Sequence, residues 1–379
     1  MMISMSPNRM KCLKRSLAWL ISVVVLLALC PSAYAENDPV VLDGFITQGA
    51  AVFLMTDGTV RVLEDERLGE GLIYDELPLE ECLNWTGITQ LAHCNDVIVG
   101  LRSDGTVAAA GREDFVSTVS SWDHIVRLYG ITGDYNVLAG LRDDGRVVIT
   151  GVDPFATWDE DEDDDSEYFE AIESLQDVSK LLIGVCPAGG YYAALHQDGT
   201  VSPSWVYEDR DDLKGWSRDG DHFIDLDSSG WGIIALRDDG TCAVSGTDAY
   251  GYREITDTWT DLKQVACGDT FAIGLRNDGT FVTSRDDQEE WPDAFSEEFA
   301  SLRDVDHFEM PGASNCITVY HIDGSVDLFY TAYDSGNEVL RSWTDIAKVL
   351  TDYSGVFIGI KTDGSLVSTL EGLQLDAIS

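Results

Sequence analysis

With 68 acidic against 24 basic residues in a chain of 379, the formal charge is −44. A surface of that sign repels nucleic acid and anionic membranes, and it favours cations or a basic protein partner. The same charge would also simply keep a protein soluble, and the length allows one large domain or two ordinary ones.

Residues 1–35 read as a signal peptide. Arg9, Lys11, Lys14 and Arg15 precede an apolar stretch from Leu17 to Cys30, and Ala33-Tyr34-Ala35 supplies the small-x-small cleavage pattern. The apolar run is too short to span a bilayer comfortably. Leu27-Ala28-Leu29-Cys30 has the outline of a lipoprotein box, but Leu29 is not the small residue such a box places before its cysteine. No second apolar run follows, so the expectation is a secreted or cell-surface mature chain, 36–379, with no membrane insertion after cleavage.

From there one phrase recurs. Leu101-Arg102-Ser103-Asp104-Gly105-Thr106-Val107 is its clearest copy, and the same pattern surrounds Asp144-Gly145, Asp198-Gly199, Asp239-Gly240 and Asp278-Gly279. Weaker copies surround Asp57-Gly58, Asp323-Gly324 and Asp363-Gly364, and successive pairs lie 39 to 54 residues apart. Asp-Gly between apolar, β-branched flanks predicts a hairpin on a two-residue type I′ turn, with positive φ at both central residues. In that register Arg102 would face Val107 across the hairpin.

Upstream of each hairpin lies a second segment, as in Trp85-Thr86-Gly87-Ile88, Trp122-Asp123-His124-Ile125, Trp259-Thr260-Asp261-Leu262 and Trp343-Thr344-Asp345-Ile346; Leu175 and Leu302 replace tryptophan in two copies. A unit of about 40 residues with about four short strands is a propeller blade, which buries its two apolar faces only when packed into a ring. The predicted fold is all-β: a β-propeller of seven or eight blades forming a single domain over 36–379. Six cysteines remain after cleavage (Cys82, Cys94, Cys186, Cys242, Cys267 and Cys316). Disulfides are permitted by compartment, yet Cys94, Cys186 and Cys267 sit beside small residues, as buried hydrophobes do.

A basic residue stands two positions before the turn aspartate in seven copies: Arg102, Arg142, His196, Arg237, Arg276, His321 and Lys361. Two readings follow. Either each stem covers a strand and its head pairs with an aspartate of a neighbouring blade, or the seven form an anion-binding ring at one mouth.

The repeat resembles the regulator of chromosome condensation family, whose units run Trp-x-x-Ile, Gly-x-x-His, Ala-Leu-x-x-Asp-Gly-x-Val, Trp-Gly-x-Asn and Gly-Gln-Leu-Gly. The resemblance covers nearly all of 40–379, but the Gly-x-x-His histidine and the Gly-Gln-Leu-Gly tail are missing from every copy. It implies a propeller, commonly seven-bladed, that serves as a recognition platform; eight hairpins argue for eight blades. The family's nuclear role does not carry over to an exported acidic chain.

Motifs for catalysis are absent: no Gly-x-Ser-x-Gly elbow, phosphate loop or His-Glu-x-x-His is present, and no catalytic, cofactor or metal residues are assigned. The insertion at 153–172 carries an unbroken acidic run from Asp159 to Asp165. There Asp159, Asp161, Asp163 and Glu170 match calcium-loop positions, but Asp164 occupies the place of the required glycine. The expected reading is a solvated acidic loop. Trp158, Trp205, Trp216, Trp231 and Trp291, with Tyr168, Tyr250 and Tyr252, lie near variable segments, where they would either line a binding mouth or pack between blades. The resulting expectation is an exported, non-catalytic propeller that recognises a protein partner through loops on one face. The alternative is a glycan-active hydrolase or lyase with carboxylates in the axial pocket.

Overall fold

The apolar run before each Asp-Gly pair becomes a strand buried on both sides. Ala50–Met55 is buried at every position, and Val97–Arg102, Val137–Arg142 and Gly232–Arg237 are buried up to the final residue. A strand covered on both faces needs a continuous apolar run rather than alternation. That places it in the middle of a sheet with further sheets stacked against it. The computed structural model describes residues 38–69, 77–95, 97–131, 136–151, 167–186, 189–204, 220–229, 232–246, 252–268, 271–284, 299, 301–310, 316–330, 337–351 and 355–378. The expected signal peptide and residues 153–166 of the acidic insertion lie outside the described residues.

Val40–Ser379 form one compact unit made of eight three-stranded antiparallel sheets, each built from three consecutive strands. The fold is an eight-bladed β-propeller. In every blade the first, inner strand lines the axis. The inner strands are Val41–Thr47, Ile88–Cys94, Ile125–Ile131, Val178–Cys186, Phe223–Ser229, Leu262–Cys267, Val305–Glu309 and Ile346–Thr351, in blades 1 to 8.

Among the described residues each blade has three strands, not about four. After the third strand the chain forms a short helix instead, at Leu79–Cys82, Glu113–Val119, Glu167–Glu173, Tyr252–Thr256 and Asn337–Leu340. The reason is a change of hydrophobic period. Phe115, Val119 and Trp122 are all buried, as are Tyr168, Ile172 and Leu175, and a spacing of i, i+4, i+7 makes one face of a helix.

The hairpin also differs from the expectation. Arg102 N donates to Thr106 O at 2.8 Å and Gly105 N to Arg102 O at 2.9 Å, and the same pair of bonds recurs in all eight turns. Leu101, not Arg102, faces Val107. This is a three-residue loop, Ser103-Asp104-Gly105, in which the glycine alone is left-handed; the eight turn glycines have φ between 78° and 83° and no turn aspartate has positive φ. A left-handed aspartate would carry a steric cost. Here its carboxylate makes local bonds instead, Asp104 Oδ1 accepting from Thr106 N at 3.0 Å and Thr106 Oγ1 at 2.7 Å.

The turns join the blades. Ile88 N donates to Gly58 O at 3.0 Å and Ile125 N to Gly105 O at 3.0 Å, and the equivalent bond links a turn glycine to the next inner strand at Gly145, Gly199, Gly240 and Gly324. All the Asp-Gly turns therefore lie on one face. Blade 8 closes onto blade 1: Lys348 pairs with Asp43, and Leu350, Ile358 and Ile360 share a core with Val41, Phe53 and Ile378. Arg61 donates to the carbonyl of Ile378 across the same seam.

Candidate functional site

Each inner strand carries a bulge after its first residue. The residue that follows the bulge is polar in every blade: Asp43, Gln90, Arg127, Lys180, Asp225, Gln264, His307 and Lys348 in blade order. Inner strands of seven blades meet around one cavity of about 610 Å3, whose wall includes Arg127, Lys180, Asp225, Gln264 and Lys348 beside Phe45, Phe308 and Leu350. Only an axial opening touches that many blades.

The ring is cross-linked in alternation. Gln90 Nε2 donates to Leu128 O at 2.8 Å while its Oε1 accepts from Leu128 N at 2.9 Å. Gln264 does the same to Phe308, at 2.6 Å and 3.1 Å. Lys180 Nζ reaches Asp225 Oδ1 at 2.6 Å and Leu226 O at 2.8 Å, and Lys348 reaches Asp43. The side chain of each even-numbered blade thus grips the next odd-numbered one.

The pattern repeats after four blades. Asp43 and Asp225 each accept from the following backbone N–H, of Gly44 at 2.7 Å and Leu226 at 2.9 Å. Leu181 N and Val349 N each donate to a tyrosine hydroxyl of the preceding blade, Tyr129 at 3.3 Å and Tyr320 at 2.9 Å. Aspartate, glutamine, a basic residue and lysine therefore occur twice around the axis, which gives the ring an approximate twofold symmetry.

One axial carboxylate stands apart. Asp227 accepts from Cys267 N at 3.1 Å, and burial pushes its pKa up to about 6. Glu309, in turn, accepts from the Tyr320 hydroxyl at 3.0 Å.

None of the eight ring residues was singled out in the sequence. The signal was there: each lies five residues after the position that heads its repeat, as Gln90 follows Trp85. Because the side-chain types differ, the polar column is visible only once the copies are aligned.

The basic residues that were singled out all lie at the turn end of the middle strands and are half-buried. For four of them the partners lie within their own blades, not in neighbouring ones. Arg237 Nε pairs with Asp221 at 2.9 Å and its second nitrogen donates to Cys242 O at 2.6 Å; Arg142 pairs with Asp123 at 3.2 Å. His196 joins Gln176 O to Ser202 Oγ, and His321 joins Arg303 O to Asp327. The slot ties the start of the inner strand to the outer strand, so these four heads are not an open anion ring.

Tyr168 is packing: it is buried and donates to Tyr191 O at 3.1 Å. Tyr252 opens a short helix; Trp158, Trp205, Trp216, Trp231, Trp291 and Tyr250 lie outside the described residues. Of the calcium-loop residues only Glu170 is described, on the helix Glu167–Glu173. Cys82, Cys94, Cys242 and Cys267 are buried, and burial pushes the Cys82 thiol up to about 11 and that of Cys242 to about 12.

No known family model matches the chain, and no curated protein matches it. Solved structures do. The computationally designed Ika8 protein is similar over 88% of this chain and 97% of its own, at 12% identity and a TM-score of 0.48. The CRINKLY WD40 ectodomain of the Arabidopsis thaliana receptor kinase ACR4 matches 79% of this chain and 98% of its own, at 13% identity and 0.44. Prp20p of Saccharomyces cerevisiae, described with its binding to Gsp1p and histones, matches 77% of this chain and 72% of its own, at 11% identity and 0.36. The eight-bladed assignment itself stands on this chain's own sheets and axial cavity.

Proposed function

We propose that the protein is an exported, non-catalytic interaction propeller, a divergent relative of the regulator of chromosome condensation repeats. It recognises a protein partner through the face opposite the Asp-Gly turns. One observation carries this reading. The eight turns between middle and outer strands all span four residues, whereas the loops between inner and middle strands at the other face span two to six. The turns are held to uniform length by their bonds to the next blade; the opposite loops are free to vary, and variable loops on a rigid scaffold are where recognition residues collect. The net charge of −44 favours a basic partner.

The test is chemical cross-linking of the full mature chain on the producing cell's surface, with the linked positions mapped. Links concentrated on loops such as 132–136 and 311–315 support the reading. Links confined to the Asp-Gly face, or no saturable partner, overturn it.

The glycan-active alternative has one observation in its favour, the raised pKa of Asp227, which suits a general acid. Against it, Asp225 and Asp43 are held by lysines and Glu309 by a tyrosine, so among the described residues of the axis no second carboxylate lacks a side-chain partner. Glycan cleavage that disappears in Asp227→Asn would reverse the preference.

A further inference from the structure

Among the ring cations Arg127 is the exception. Lys180 and Lys348 each hold an aspartate of the next blade, whereas the exposed Arg127 has no hydrogen bond or ion pair among the described residues and only its own Tyr129 ring 5.9 Å away. Around the axis it stands between Gln90, which is committed to the backbone of Leu128, and Lys180. It is thus one of two cations in successive blades with no acid between them. The described carboxylates of the axis each have another partner: Asp43 has Lys348 and Gly44 N, Asp225 has Lys180 and Leu226 N, Asp227 has Cys267 N, and Glu309 has Tyr320. The symmetry-related position does not repeat the arrangement, since His307 is stacked on Tyr320 at 4.4 Å and bonded to Asp306.

We propose that the axial cavity is a carboxylate-binding site with Arg127 as its receptor. A guanidinium presents a planar fork of donors that fits a carboxylate in bidentate fashion. Phe45, Phe308, Val349 and Leu350 line the same cavity and offer apolar contact to the carbon skeleton of an acid seated there. The negative field of the whole chain is screened over roughly 8 Å at physiological salt, so it does not govern a contact made inside the bore. Two sources share this chemistry: a free small organic acid, or the terminal carboxylate of a peptide chain entering the opening. The site does not depend on the partner-binding reading above.

Calorimetric titration of the full mature chain with succinate, with a neutral tripeptide bearing a free C-terminus, and with its amidated form separates them. Saturable binding of succinate or of the free-terminus tripeptide, about tenfold or more weaker in Arg127→Gln and intermediate in Arg127→Lys, is the expected result. Arg102→Gln, away from the axis, should leave it unchanged. Succinate binding points to a free acid, and tripeptide binding lost on amidation points to a chain terminus. No saturable binding of either probe, equal binding of the amidated tripeptide, or affinity unchanged in an Arg127→Gln protein of native melting temperature overturns the proposal.

Discussion

The indole of Trp85 and the missing side chain of Gly100 are one packing decision. A Cβ on Gly100 would lie 3.0 Å from the Trp85 ring, and Gly140, Gly274 and Gly359 stand in the same relation to Trp122, Trp259 and Trp343, at 3.2, 3.1 and 2.9 Å. Where leucine replaces tryptophan the equivalent middle-strand residue is larger, Ala194 with Leu175 and Val319 with Leu302. Volume is conserved across the pair, as dense cores require. Gly100→Ala should cost about 1–3 kcal/mol by overpacking. Adding Trp85→Leu should make the double variant less destabilised than the sum of the two changes, a coupling that a denaturant double-mutant cycle would measure.

A second residue-scale outcome concerns Asp227, whose folded-state pKa is raised to about 6 by burial. The folded form then holds its proton at pH values where the unfolded form has released it. Stability from this group is present below the unfolded value of about 4 and lost as pH rises through about 6. Asp227→Asn should therefore gain melting temperature over wild type above pH 6, with the gain shrinking toward pH 4. The turn aspartates work in the opposite sense. The Thr106 hydroxyl and then its N–H hold Asp104 below the usual carboxylate range, and Asp198, Asp278, Asp323 and Asp363 are lowered in the same way by Thr200, Thr280, Ser325 and Ser365. Their contribution is present above about pH 4 and is lost as acid protonates them.

Between blades, the glutamines of the ring act as backbone staples. Gln90→Ala deprives the N–H and C=O of Leu128 of their bonds to the Gln90 amide, a loss of about 1–3 kcal/mol. Gln264→Ala should cost a similar amount, and since the two act on separate blade pairs their effects should add in equilibrium unfolding. This is also the scale at which the sequence was most and least legible. Eight Asp-Gly pairs marked eight hairpins, because glycine takes the left-handed position that each turn requires without steric cost. The turn type was misread, because Asp-Gly also suits a three-residue loop once the aspartate can bond the threonine or serine two residues on. The short connecting helices escaped because each shows only one or two turns of helical spacing. The axial ring escaped because its members share polarity and position but no side-chain type.

For the molecule as a whole, stability depends on one seam that no peptide bond spans. Leu370, Leu373, Leu375 and Ile378 pack against the core shared by blades 1 and 8, Arg61 donates to the Ile378 carbonyl, and Arg67 donates to Glu371 O at 3.0 Å. Removing residues 370–379 strips this cover, and loss of the buried Ile378 alone resembles a large-to-small core change of about 2–5 kcal/mol. The expected result is a melting temperature lower by several degrees and earlier proteolysis in blades 1 and 8 than in blades 4 and 5, read by calorimetry and by mapping the first cleavage sites.

The alternating grip of the axial ring has a consequence for blade number. A reaching side chain from blades 2, 4, 6 and 8 always meets a receiving blade, and the last reach, Lys348 to Asp43, comes back to the start. A ring with an odd count would set two reachers or two receivers side by side, stranding an ammonium or a pair of backbone groups at the junction. Parity is thus written into the bore, and gain or loss of repeats is tolerated there only in twos.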